Sequence, residues 1–135
     1  MIRLIPITHE PRHLEILHTL LTERTPEQSI SHRGMPTKEE HEAFVRSHPY
    51  AAWYLIHNGA SGYVGSVYIS KQREIGVFIF NAHRGKGYGK AAVRMLMEKH
   101  PGRWLANISP KNTRSMRFFN DLGFRPIQTT LEKLR

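Results

Sequence analysis

The residues best suited to chemistry lie in one short run, Arg84-Gly85-Lys86-Gly87-Tyr88-Gly89-Lys90, where three glycines alternate with basic and aromatic side chains. The apolar strand-like residues Phe78-Ile79-Phe80 precede it and a helical pattern follows, so free backbone N–H groups and a positive helix end are expected at one spot. Such a spot suits a diphosphate. Glycine lets a phosphate approach the main chain without a Cβ in the way and allows positive φ. Arg84, Lys86 and Lys90 add charge. Three alternate glycines alone also suit a plain surface turn. Gly87-Tyr88-Gly89-Lys90-Ala91-Ala92 further fits the G-x-G-x-x-A dinucleotide fingerprint, but that pattern belongs on a first βαβ unit with an acid about 20 residues on. Here a meander precedes it and Asn107 occupies the later region. No G-x-x-x-x-G-K-[ST] loop occurs.

The elements that must hold this run can be read from period and punctuation. Arg3 to Ile7 reads as a strand, and Thr8 is placed to cap a helix with Pro11 in its first turn and Leu14, Leu17 and Leu21 at helical spacing. Thr25 to Pro36 is polar and broken by Pro26, Gly34 and Pro36, hence a loop able to line a substrate site. Thr37 and Glu40 have the spacing of a capping box, opening a short helix with Ala43, Phe44 and Val45. Ala51 to His57, Tyr63 to Ser70 and Glu74 to Phe80 read as an antiparallel meander, with Asn58-Gly59 as a hairpin signal. After the glycines, Tyr88, Ala91, Ala92, Met95 and Leu96 form an apolar helical face that Pro101-Gly102 ends. Arg103 to Ser109 is expected as a strand, Asn112 as the cap of a last helix, Gly123 at its C′ position, and Phe124 to Leu131 as a final strand. The order is β-α-α-β-β-β-α-β-α-β: an α/β (α+β) class built on a mixed sheet, with helices on both faces.

The chain has 135 residues, within the range of one domain, so residues 1–135 are expected to form a single unit. The absence of cysteine excludes disulfides, thiolate metal sites and acyl transfer through an enzyme thioester. Nine histidines form no metal-ligand spacing, and no metal site is expected. No apolar run approaches the roughly 20 residues that cross a bilayer, and the N-terminus lacks the pattern of a signal peptide, so no membrane association and a cytoplasmic location are expected. Twenty Lys and Arg against eleven Asp and Glu give a formal charge of +9. Between Glu74 and Asp121 the only acid is Glu98, whereas Arg84, Lys86, Lys90, Arg94, Lys99, Arg103, Lys111, Arg114 and Arg117 all fall there. An anionic ligand is therefore expected on the second half.

Arg84, Gly87 and Gly89 match [QR]-x-x-G-x-[GA], and Asn112-Thr113-Arg114-Ser115-Met116-Arg117-Phe118-Phe119-Asn120-Asp121-Leu122-Gly123-Phe124 is similar to N-x-x-[SA]-x-x-[FYL]-[YF]-x-x-x-G-F. In these two ordered motifs the sequence resembles the GNAT superfamily of N-acetyltransferases, and the element order agrees from the first strand to Phe124. The resemblance implies an acetyl-CoA-dependent enzyme. Val77, Phe78 and Ile79 would pair through their main chain with the pantetheine arm, as an added strand does. Arg84, Gly85, Lys86, Gly87, Tyr88, Gly89 and Lys90 would hold the pyrophosphate. Asn112, Ser115 and Phe119 would complete the cofactor site, although a helix cap explains Asn112 at least as well and is compatible with that role, and core packing explains Phe119 better than a chemical role does.

Acetyl transfer needs a neutral amine, a donor for the developing oxyanion and a route for the leaving thiolate. The resemblance places the oxyanion donor at a backbone N–H of the Glu74 to Phe80 strand, that of Val77. The tyrosine that protonates the thiolate in many relatives is replaced by Phe119. The glutamate base of some relatives falls at Arg73 by motif spacing; Glu74, one residue on, would point to the opposite face unless a bulge intervenes. Asn107 stands where others keep an acid and can orient a water or amine. Glu74 and Asn107 are the catalytic candidates. His83 would fill the aromatic slot before Arg84, and His32, His41, His48 and His57 are candidates for the acceptor pocket. The acceptor is expected to be the primary amine of a small molecule or sugar nucleotide. The alternatives are a protein α-amine or lysine, or a non-catalytic basic nucleic-acid module, which would need exposed aromatics or a base-reading helix beside its charge. Monomer and homodimer both remain open.

Overall fold

The computed structural model describes residues 1–24 and 35–135. The expected loop from Thr25 and its His32 lie outside them up to residue 34. Strands β1 (Ile2–Pro6), β2 (Ala52–Asn58), β3 (Gly62–Ile69) and β4 (Ile75–Ile79) form one antiparallel sheet in the order β1-β2-β3-β4. Helices α1 (Pro11–Thr22) and α2 (Lys38–Arg46) precede β2, while α3 (Tyr88–Lys99) and α4 (Thr113–Asp121) follow β4.

Alternation along the strands divides the core in two. Ile56, Val64, Val67, Ile69 and Ile75 pack against Ala92, Val93 and Leu96 of α3 and Phe119 of α4. Leu55, the next residue of β2, points the other way and packs with Leu14 and Leu17 of α1 and Val45 of α2. Helices therefore cover both faces, as expected for this α/β class. The buried face of α3 runs through Gly89, Ala92, Val93 and Leu96, rotated from the expected Ala91 and Met95, which stay half-buried.

Local signals held to different degrees. Thr37 accepts from Glu40 N–H while the Glu40 carboxylate accepts from Thr37 N–H, so the capping box forms. The start of α1 departs from expectation: Glu10, not Thr8, is its N-cap and Pro11 its first residue. The Thr8 hydroxyl instead accepts from Glu10 N–H, forming the turn ahead of the helix. Asn58 Oδ1 accepts from Ala60 and Ser61 N–H, turning the β2–β3 hairpin through three residues, and Gly62 closes it at φ +79°.

Two expected strands are not ladders. Within Arg103–Ser109 only Leu105 pairs, in one parallel bridge with Glu74: Ile75 N–H donates to Leu105 O and Leu105 N–H to Arg73 O. The segment then leaves β4, and Ser109 O is taken by Asn112 N–H in the turn before α4. Beyond Phe124 no ladder forms, and Ile127, Leu131 and Leu134 are exposed; a segment that pairs with no sheet edge does not persist as a strand. Among the described residues, no helix is long and apolar enough to cross a membrane.

Candidate functional site

Strand parity decides what β4 offers. Ser70 N–H donates to Glu74 O and Phe80 N–H to Val64 O, so residues 74, 76, 78 and 80 turn their backbone groups toward β3. Ile75 donates the other way, to Leu105. By the same alternation, Val77 and Ile79 present N–H and C=O to the outer edge of the sheet. Because the Leu105 segment diverges after its single bridge, that edge is open at Val77, and at Ile79 its carbonyl takes Arg84 Nε at 3.3 Å. Phe78 spends its main chain on Ser66 and contributes only its ring.

The open edge leads into the start of α3. The first ladder bond there is Ala91 N–H to Gly87 O at 3.2 Å, leaving the N–H groups of Tyr88, Gly89 and Lys90 without helical acceptors. Gly85 and Gly87 hold φ of +76° and +81°, a region L side chains rarely adopt, and a Cβ on either would meet nothing within 4 Å. This is a cradle open to the outside. Gly89 is different: its Cβ would lie 3.2 Å from Phe118 and 3.6 Å from Ile79, so its bareness allows α3, α4 and β4 to meet.

The basic residues around the cradle differ in freedom. Lys86 is exposed and Arg84 half-buried, whereas Lys90 is paired with Asp121 at 3.1 Å. Lys90, Thr113, Arg114, Arg117, Phe118 and Asp121 line a depression of about 300 Å³ between α3 and α4. Asn112 caps α4, its Oδ1 accepting from Ser115 N–H at 3.0 Å, which leaves its Nδ2 to donate elsewhere. Phe119 is 6% exposed and packs against Phe118 and Phe124, the structural role the sequence also allowed. Phe118, not Phe119, stands beside Gly89.

Glu74 and Asn107 come together: Asn107 Nδ2 donates to Glu74 Oε2, and the Ser70 hydroxyl reaches Glu74 Oε1 at 3.4 Å. Arg73, at the spacing of the relatives' base, points elsewhere, its guanidinium donating to His100, Pro101 and Arg103 carbonyls. Arg73 itself holds a φ of +71° in the turn before β4, and alternation along the strand puts Glu74 on the face of Gly76 and Phe78.

That face carries a wall of aromatic rings that sequence reading did not single out. Tyr50 and Tyr68 stack at 3.7 Å and 5°, Trp53 meets Tyr50 edge-on at 4.7 Å, and the Arg24 guanidinium lies 3.6 Å from the centre of the Phe78 ring. Gly76 makes the stack possible, since a Cβ there would fall 2.2 Å from Tyr68 ring atoms. A glycine inside a strand pattern was the available signal. Burial pushes the Tyr50 and Tyr68 hydroxyls upward in pKa and draws Arg24 downward. The histidine candidates disperse: His41 faces His18, His48 faces His9, and His57 faces Tyr63. His83 lies 6.5 Å from Tyr88. Among the described residues no cluster could hold a metal ion.

A sheet with one splayed edge, opened beside a glycine-led helix N-terminus, is matched by a family model described as an acetyltransferase (GNAT) domain, over residues 2–125. The chain belongs to the GNAT acetyltransferase family. Solved structures share the fold of this GNAT domain at low identity. A Methanocaldococcus jannaschii domain is 23% identical over 98% of this chain and 93% of its own, with a TM-score of 0.81. The spermidine N-acetyltransferase of Vibrio cholerae, solved with CoA and spermine, is 15% identical over 99% and 86%, also at 0.81. A Salmonella typhimurium protein solved with its cofactor acetyl-CoA is 18% identical over 92% and 79%, at 0.66. No curated protein matches this chain.

Proposed function

We propose that this GNAT domain transfers the acetyl group of acetyl-CoA to the primary amine of a small molecule, sugar-nucleotide amines included, by direct attack on the thioester. The observation that carries the reading is the outward-facing, unpaired main chain of Val77 running into the cradle of Gly85 and Gly87. The residues fit the cofactor, because an open cradle of N–H groups suits a pyrophosphate and an unpaired strand edge suits an amide-bearing arm. CoA and acetyl-CoA in the Vibrio and Salmonella structures support it, as does the polyamine acceptor of the former.

Acetyl-CoA, when bound, supplies an activated acyl carbon. Ile79 and Val77 pair with its arm, and the N–H groups of residues 85–90 with Arg84 and Lys86 face its phosphates. Lys90 contributes a charge already shared with Asp121. Asn112 donates through Nδ2, Ser115 offers its hydroxyl from the same turn, and Phe118 and Phe119 form the apolar floor. The Val77 N–H stabilises charge developing on the carbonyl oxygen, the role that an oxyanion donor plays. Glu74, oriented by Asn107 and Ser70, takes the proton of the incoming ammonium directly or through water. The neutral nitrogen would form the C–N bond as C–S breaks; the second nitrogen proton then passes to solvent, and solvent protonates the departing thiolate, since Phe119 has no proton to give.

Calorimetric titration with acetyl-CoA, alongside desulfo-CoA and double-stranded DNA, tests the reading, followed by thiol release with an amine panel. Saturable acetyl-CoA binding and amine-dependent thiol release are expected. Salt-sensitive DNA binding without acetyl-CoA binding would replace this reading with a nucleic-acid module.

A further inference from the structure

We infer that the acceptor is an amine that also carries a carboxylate several bonds away, an ω-amino acid or short peptide, held between Glu74 and Arg24. The inference rests on the proposed function and names the substrate class of that same site.

The Arg24 guanidinium lies over the Phe78 ring, and its Nε is buried with no hydrogen-bond partner among the described residues. Among the described residues no carboxylate pairs with it; the neighbouring Glu23 turns away, its Oε1 accepting from Asn81 N–H. Among the described residues, the groups acting on it through charge are the Tyr50 and Tyr68 hydroxyls. A desolvated cation without a counter-ion is costly and is relieved by an anion. Trp53, edge-on to Tyr50 in the same wall, has a second buried donor without an acceptor, its Nε1. Two orphan donors on one aromatic surface call for a ligand rich in acceptors.

Glu74 lies at the other end. Glu74 and Phe78 share a face of β4 four residues apart, roughly 13 Å between Cα atoms at 3.3 Å per residue. Tyr68 lies between them, feeling both the Arg24 and the Glu74 charge. An ammonium near Glu74 and a carboxylate near Arg24 would match both ends, with the stem lying along Tyr68 and Tyr50. A polyamine would place a second cation against Arg24 and is disfavoured, unlike the acceptor of the Vibrio enzyme.

The test compares thiol release with 6-aminohexanoate, glycylglycine, the amides of both, and spermidine. Acetyl-CoA calorimetry on every variant separates the two readings. Carboxylates are expected to exceed their amides by about tenfold or more in kcat/KM, chiefly through KM, as for a charge-assisted contact present with one and absent with the other. Arg24→Gln should erase that preference while binding acetyl-CoA normally, and Arg24→Lys should restore part of it. Amides or spermidine equalling the carboxylates, carboxylates that neither bind nor react while acetyl-CoA binds, or an Arg24→Gln variant that keeps the preference would each overturn the inference alone. Failure of the parent protein to bind acetyl-CoA would overturn both.

Discussion

The parity of β4 makes opposite demands on two adjacent residues. Replacing Val77 with proline removes an N–H that faces the open edge and enters no bond to β3, a position where proline is tolerated in sheets. Proline nearly matches valine in volume, and the preceding Gly76 accepts the extended conformation that proline imposes. Replacing Phe78 with proline removes an N–H that faces Ser66 of β3, whose residue is 3% exposed, leaving a buried carbonyl short of a partner. That costs about 1–3 kcal/mol before the lost ring is considered, or about 4–12 °C in Tm for a domain of this size. The expected outcome is a Val77→Pro protein that unfolds close to the parent midpoint but turns over about 10²–10³-fold more slowly, the usual effect of losing one oxyanion donor. Thermal melts and single-turnover thiol release read both quantities. A Val77→Pro variant that keeps kcat within about tenfold of the parent would remove Val77 from the chemistry. One that unfolds as readily as Phe78→Pro would show the parity to be wrong.

Gly87→Asp places a carboxylate where the diphosphate is proposed to sit, at a position whose Cβ meets nothing; acetyl-CoA affinity should vanish by calorimetry, with only the ~1–2 kcal/mol cost of a left-handed L residue in a melt. Glu74→Gln should lower kcat about 10²-fold with acetyl-CoA affinity unchanged; full activity would exclude it as the base. Gly76→Ala drives a methyl into the Tyr68 ring and should cost about 1–3 kcal/mol with a changed near-ultraviolet dichroism spectrum. Glu40, held below the usual carboxylate range first by the Thr37 backbone N–H, contributes stability present above its unfolded pKa and lost as pH falls through its folded value. Glu40→Gln should therefore flatten the acid limb of a plot of Tm against pH.

Much of this protein was legible because its signals are local. The glycines of 84–90, the cap at Asn112, the capping box at Thr37 and the three-strand meander each depend on residues a few positions apart, where backbone sterics and near-neighbour hydrogen bonds decide the outcome. Two ordered motifs sufficed for the family because they encode that same local geometry. The sequence also offered Glu74 and Asn107 as separate catalytic candidates, without showing that they touch. That contact comes with the Leu105 bridge, which joins residues more than thirty apart. The same long-range divergence left Arg103–Ser109 a bridge rather than a strand, a result that period-two patterning cannot foresee because pairing depends on where the partner edge runs. Arg24, the Tyr50–Trp53 segment, Tyr68 and Phe78 come from four separate stretches of chain with no common spacing; only the folding of α1 and the meander around one sheet face makes them neighbours. Short-range chemistry thus determined the glycine cradle at the start of α3, and tertiary packing decided the aromatic wall.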